Sequence, residues 1–434
     1  MNTENPNVYS SKAIVRSKWS YIFECMFEYF VALLVSGVYL ANLLKYMGIS
    51  DAVIGIISSL ISFAFLFQLF SIFAVKHIVN VKRASIIFHF ASQLFFMSLF
   101  LLPFLPFATE YKTVIVIACV LVAYFGNYLV TSVIFKWGSS FVDPHKRASF
   151  GATKEMISLI SGVVFTLVIG FAIDHFSESG NIEGGFIFIA VGILICSLFD
   201  LSCLLIMKKP KEEKKEDRSE PISVVLKNLF SNKSFVCLLV MGALLYIAMY
   251  SINGFMGTYE IGELGFTVGQ AQIIVTAGAL FRFAVSKPLG KFSDKTSHAT
   301  GFLLGVSLLA LSLFLNIFTT PSTKWMVYVY SMLYNGSAAA IHQNFLFISF
   351  DYIEDKYFVQ ATSIKSAVSG VAGFIASLVG AAILNHVQSN GNSLFGINMY
   401  AQQLLSAIAF AVTLILILFI CIIFKKQKKM REEH

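Results

Sequence analysis

A few residues stand out because their types do not match their apolar surroundings. Glu24 and Glu28 lie four residues apart in an apolar run that opens near Tyr21, so on a helix their carboxyls share one face. Arg282 lies inside another apolar run, about eight residues before Gly290. At about 1.5 Å per residue, Glu28 lies roughly 12 Å after the start of its helix and Arg282 roughly 12 Å before the end of its own, which are the expected cytoplasmic ends of both. A charge at that depth is costly and is offset by a partner or by water. Glu28 is therefore expected either to pair with Arg282 or to carry a proton, and competition between these two states can act as a switch. Glu24, nearer the end, is expected to snorkel outward. His342 stands beside Gln343 and Asn344 and could relay protons, since imidazole titrates near neutrality. His89 reads as a hydrogen-bonded structural residue.

A second set has the chemistry to bind a polar, largely neutral solute. It comprises Tyr29, Asn127, Tyr128, Tyr246, Asn253, Tyr334 and Asn335, all within or beside apolar runs. Amides and phenols can hydrogen-bond such a solute, and aromatic faces can stack on sugar rings or nucleobases. The same groups also tie helices together. The sequence holds no GxxxxGK(S/T), HExxH or GxSxG pattern, so ATP hydrolysis and enzymatic activity are not expected. No cofactor is expected either. The six cysteines fall in apolar stretches with no CxxC pair or metal-ligand spacing, so they read as small buried hydrophobes.

The elements that position these residues follow from composition. Of 434 residues, 57% are hydrophobic and 13% charged, against about 25% charged in a soluble domain. Mean hydropathy is +0.76. Apolar residues on this scale must face a bilayer. Twelve runs approach the ~20 residues needed to span it. They lie at about 20–44, 53–75, 84–107, 113–135, 155–174, 185–207, 235–257, 269–289, 300–319, 325–349, 362–384 and 400–424. Runs of this length satisfy their backbone in lipid as helices. The first exceeds a signal-peptide core and is expected to be retained.

A polar, mixed-charge segment over 208–233 reads as a solvated linker. It predicts an N-terminal six-helix bundle over 1–207 and a C-terminal one over 234–434 with a basic tail. If the N-terminus is placed inside, all but four of the 32 basic residues fall on the cytoplasmic side. Lys45, Lys112 and Lys324 lie opposite, and Arg282 lies within a span. This bias predicts cytoplasmic termini in the plasma membrane. It also accounts for the net charge of +8 without a nucleic-acid partner.

The halves repeat. Gly48-Ile-Ser-Asp after the first span matches Gly265-Phe-Thr-Val after the seventh. Phe125-Gly-Asn-Tyr128 in the fourth matches Leu333-Tyr-Asn-Gly336 in the tenth, which makes Asn127 and Asn335 equivalent. The loop Gly290-Lys-Phe-Ser-Asp294-Lys295-Thr-Ser297-His298 resembles the Gly-x-x-x-Asp-(Arg/Lys)-x-Gly-(Arg/Lys) signature of the major facilitator superfamily. Gly290, Asp294 and Lys295 match, whereas Ser297 and His298 depart. In the first half only the basic pair Lys82-Arg83 survives. With the span count, linker, charge bias and repeat, the resemblance covers nearly the whole chain.

The resemblance implies an all-α membrane protein of twelve transmembrane helices. These would form two pseudo-symmetric six-helix bundles around a cavity lined by helices 1, 4, 7 and 10. It implies a secondary transporter, here expected to be a monomer moving a small polar organic solute, such as a sugar or glycoside, by proton symport. Efflux of drugs or metabolites is the alternative, although helix 5 has Gly162 and Gly170 but no Pro, unlike many drug antiporters. A non-transporting sensor or lipid-handling protein is the third. By the same analogy Asp294 with Arg147, and Lys82 and Arg83 with Asp355, would close a cytoplasmic gate.

Overall fold

The apolar runs fold as helices whose ends are set by local polar groups. The computed structural model describes residues 10–70, 80–142, 147–209, 222–353, 357–394 and 396–432. In chain order the first helices are α1 (Ser11–Leu34), α2 (Gly37–Tyr46), α3 (Asp51–Ser58), α4 (Leu60–Ala64) and α5 (Val81–Leu99). There follow α6 (Thr109–Ser139), α7 (Arg147–Glu178), α8 (Ile182–Ile206), α9 (Ile222–Ser231), α10 (Lys233–Tyr250) and α11 (Met256–Thr258). The last are α12 (Val268–Lys295), α13 (His298–Asn316), α14 (Met326–Tyr352), α15 (Phe358–Ser389) and α16 (Ala401–Glu432). A hairpin of β1 (Ser393–Leu394) and β2 (Ile397–Asn398) joins the final two helices. Caps fix several starts. The Ala13 amide donates to Ser10 Oγ, and the Arg83 amide to Asn80 Oδ1. Thr267 and Gln270 form a reciprocal capping box.

Among the described residues, ten helical stretches are long and apolar enough to cross a membrane. The chain is an integral multi-pass membrane protein. The expected third and tenth spans are also helical, as α5 and α14; they carry Lys82, Arg83, His89 and Gln93, and His342, Gln343 and Asn344, respectively. The first span runs longer than expected, from Ser11 to Tyr46, with a break between Leu34 and Gly37. The seventh ends in a π-turn over Tyr259–Glu263.

Two compact units result: Met1–Tyr39 with Phe67–Ser219, and Leu40–Leu66 with Glu220–His434. In the first, α1 packs on α7 and α8, and α5 packs on α6 and α8. Tyr21, Val130, Trp137, Leu204 and Met207 are buried there. The Phe30 and Phe165 rings stack at 4.3 Å. Tyr39 donates to the Thr166 carbonyl.

In the second unit α14 packs on α12 and α13, and α10 on α15 and α16. Its core includes Leu245, Phe255, Phe302, Leu309 and Leu384. Helices α3 and α4 lie on α15. There Ser62 Oγ donates to the Gly370 carbonyl at 2.7 Å, and Ser377 and Ser59 hydroxyls meet at 2.7 Å. The two turns matched in the sequence repeat share a backbone state. Gly48 has φ +77° and Gly265 φ +70°, a left-handed conformation that favours glycine.

Candidate functional site

Four helices of the first unit converge on one polar cluster. Glu24 and Glu28 come from α1, His89 and Gln93 from α5, Asn127 from α6 and Asp200 from α8. Each pair on α1 and α5 is spaced i, i+4 and so shares a face. Close approach of α5 to α6 depends on Gly126, where a Cβ would lie 3.1 Å from the Phe88 carbonyl oxygen. Glu24 and Asp200 are each 1% exposed, and His89 and Gln93 each 2%. Glu28 and Asn127 are half-buried.

The hydrogen bonds form a directed chain. Asn127 Nδ2 donates to Glu28 Oε1 at 3.2 Å, so the amide oxygen faces the other way. That oxygen lies 3.3 Å from His89 Nδ1 and accepts from Thr131 Oγ1 at 3.2 Å. The amide orientation therefore assigns a proton to Nδ1. On the far edge of the ring, His89 Nε2 lies 2.7 Å from Asp200 Oδ2. A nitrogen and a carboxyl oxygen at this distance need a proton between them. With Nδ1–H already committed, that proton makes the ring an imidazolium or Asp200 a neutral acid. Gln93 Nε2 donates to the same Asp200 oxygen and lies 2.9 Å from His89 Nε2.

Glu24 completes the group. One of its oxygens, a His89 nitrogen and an Asp200 oxygen lie within 4.8 Å of one another, and the Cys25 thiol donates to Glu24 Oε2 at 3.1 Å. Asp200 Oδ1 and Gln93 Oε1 are buried without a hydrogen-bond partner among the described residues. Two carboxylates and a neutral imidazole carry two negative charges that two bound protons balance, and unbalanced buried charge is expensive. The arrangement can thus store protons, with Glu28 at its accessible end and Asp200 at its closed end.

The other sequence candidates are distributed as follows. Tyr128 stacks on Tyr124 at 5.9 Å, and Tyr29 lies against Gly162, both in the first unit. In the second, Tyr246 stacks on Tyr250 at 5.5 Å and meets Phe65 edge-on at 6.0 Å. Tyr334 lies 5.5 Å from Tyr330. Asn335 donates to the Ser331 carbonyl of its own helix at 2.9 Å. Asn253 is exposed in the 3₁₀ turn after α10, Arg282 is half-buried on α12, and His342 is exposed on α14.

Of the expected gate, Arg83 is exposed, and Lys82 Nζ donates to the Leu205 and Met207 carbonyls at the end of α8. The side chains of Arg147 and Asp294, and Asp355 itself, lie outside the described residues.

Sequence reasoning singled out Glu24, Glu28 and Asn127 and read His89 as hydrogen-bonded, as it is, but it did not bring them together and it missed Gln93 and Asp200. Glu24 does not snorkel outward; it is buried beside His89 and Asp200. Asp200 carried the strongest overlooked signal, as a carboxylate in the apolar run Ile182–Ile206. The His89/Gln93 spacing was the second.

Comparison with known proteins bears on the whole chain. The family model described as Major Facilitator Superfamily matches residues 20–376, and again 238–433. No curated protein sequence matches significantly. Among solved structures, a mutant of the nucleoside transporter NupG is similar with a TM-score of 0.70 at 15% identity, covering 95% of this chain and 100% of that one. The peptide transporter POT in complex with sulfate aligns with a TM-score of 0.67 at 11% identity, covering 95% of each chain. A bacterial homologue of the human lysosomal transporter Spinster aligns with a TM-score of 0.60 at 14% identity, covering 96% of each. At these identities the likeness concerns the fold.

Proposed function

Because the chain belongs to the major facilitator superfamily of membrane transporters, we propose that it is a proton-coupled symporter of a small polar organic solute. It works by alternating access in the plasma membrane, with both termini cytoplasmic. The observation that carries this reading is the Glu28–Asn127–His89–Asp200 chain. It links a half-buried carboxyl to a closed cluster whose charge two bound protons balance. Intramembrane ionisable groups that face one another are costly and mark proton paths in transporters. Asn127 orients the imidazole; His89 and Asp200 hold the proton; Glu28 exchanges it.

The solute-binding candidates are Tyr29, Asn127 and Tyr128 in the first unit and Tyr246, Asn253, Tyr334 and Asn335 in the second. Asn127 belongs to both sets, so a solute that takes its amide also disturbs the proton-holding ring. The nucleoside and peptide specificities of NupG and POT are in keeping with a polar solute. They do not select among sugars, nucleosides and peptides.

The test has two stages. A thermal-shift screen of the purified protein against sugars, glycosides, nucleosides, short peptides and lipophilic cations identifies the solute, because a ligand of the folded state raises the melting point by mass action. Proteoliposomes then report accumulation of that solute under an inward proton gradient. Glu28→Gln and Asp200→Asn should abolish uphill accumulation and spare downhill exchange. Accumulation driven by sodium alone, or left intact in both variants, would sink the proton reading. Stabilisation by lipophilic cations only would replace it with efflux.

A further inference from the structure

Away from the buried cluster, the start of α1 and the end of α8 flank a cleft of about 580 Å³ lined by Lys12, Ala13, Arg16, Leu205, Ile206 and Lys208. Its three cations, Lys12, Arg16 and Lys208, are exposed. Lys12 and Arg16 are spaced i, i+4 and share a face. The Lys208 amide donates to Ser17 Oγ at 3.2 Å, and its carbonyl accepts from the Trp137 indole at 2.7 Å. Behind it, the Lys82 amine caps the final carbonyls of α8. Among the described residues, no carboxylate lies within ion-pair distance of Lys12, Arg16 or Lys208. Among the described residues the cleft is positive and not neutralised.

Its margins are apolar and face outward. Val15, Trp19 and Phe23 recur every four residues along α1 and are exposed, Trp19 by 48%. Leu205 and Ile206 are exposed on α8. Exposed Trp sits at the headgroup level of a bilayer. Arg16 lies three residues toward the start of the helix, about 4.5 Å along its axis, at the depth of lipid phosphates. A soluble anion would use the cations alone. A phospholipid would use the cations and the apolar wall together, and basic pockets between spanning helices suit anionic headgroups.

We propose that this cleft binds the phosphate of an anionic phospholipid, with an acyl chain laid along the Val15–Trp19–Phe23 stripe. The site is separate from the proton cluster and does not depend on the transport reading.

Trp19 provides the test. Trp137 is buried and Trp325 exposed, so Trp325→Phe leaves Trp19 as the lipid-accessible indole. The delipidated full-length protein is titrated in mixed micelles with brominated phosphatidylglycerol or brominated phosphatidylcholine. The anionic lipid should quench at about a 100-fold lower mole fraction, with the preference falling about fivefold per cation removed. Lys12→Gln/Arg16→Gln/Lys208→Gln should erase the preference, and Arg16→Gln alone should reduce it, which guards against a triple variant that fails to fold. Lys227→Gln/Lys233→Gln/Lys287→Gln removes as much charge from the second unit and should keep it. Equal quenching by the two lipids, or a preference that survives the triple substitution, overturns the proposal. Full suppression by millimolar inorganic phosphate or glycerol 3-phosphate would reassign the cleft to a soluble phosphate and overturn the lipid assignment.

Discussion

Asn127 and Asn335 hold equivalent places in the sequence repeat, yet their surroundings differ in kind. Asn127 follows a glycine, and that glycine lets α5 come close enough for the amide to reach His89. Asn335 follows Tyr334 and precedes Gly336, where a Cβ would lie 2.7 Å from the Phe281 ring of α12. The missing side chain admits an aromatic neighbour there, not an imidazole. Asn335 turns back on the Ser331 carbonyl, while Ser331 Oγ donates to the Ile274 carbonyl at 3.1 Å. The glycine before Asn127 meets the α5 backbone, and the glycine after Asn335 meets a ring of α12. The first unit thus sets carboxyls and an imidazole around its asparagine, and the second sets a serine and an aromatic ring.

The largest effect that could break this contrast is at the closed end of the first unit's cluster. Asp200→Asn keeps the size and removes the ionisable group. Proton-driven accumulation in proteoliposomes should fall by about 100-fold, near the upper end of coupling free energies between sites, while counterflow of the same solute persists. The corresponding replacement of a phenol in the second unit, Tyr334→Phe, should leave the dependence on the proton gradient intact. If Asp200→Asn leaves accumulation unchanged, or Tyr334→Phe abolishes proton coupling, the division of labour between the units is wrong.

The paired asparagines sharpen the contrast at an intermediate scale. Asn127→Ala removes the group that fixes the His89 tautomer and binds Glu28, so it should uncouple transport from protons. Asn335→Ala removes a hydrogen bond within one helix. It should cost about 1 kcal/mol of stability and, where the solute takes that amide, raise KM without altering the driving ion. Equal effects on coupling from both would remove the distinction. Measuring accumulation ratio and exchange KM for each variant decides it.

Much of the architecture was legible because lipid imposes a strict rule. Each span must satisfy its own backbone, so it declares itself as a long apolar run, and Gly48 and Gly265 announce the matched turns. The site was legible only in part. Glu28 and Asn127 stand out within their own helices, but which helix faces them is decided by close packing at Gly126, and periodicity does not encode that. Asp200 lies six residues before the end of α8, where a carboxylate reads as an interfacial group. Its burial against α5 is a property of the tertiary fold. The solute candidates are the least legible, because phenols and amides at helix contacts have the same composition whether they bind a solute or a neighbour.

The smallest expected effect concerns two buried tyrosine ties, one in each unit. Tyr39 donates to the Thr166 carbonyl in the first, and Tyr259 donates to the Thr319 carbonyl at 2.6 Å in the second. Phenylalanine preserves the packing in each case and removes one hydrogen bond, leaving a buried carbonyl with one partner fewer. Each substitution should cost about 1 kcal/mol and lower the melting temperature of the purified protein by a few degrees. If the units differ in polar chemistry but not in the way they are held together, the two losses should be similar and add in the double variant, because the sites share no partner. A loss confined to Tyr39→Phe would instead tie the stability of the first unit to its polar interior, and the comparison would extend from chemistry to folding.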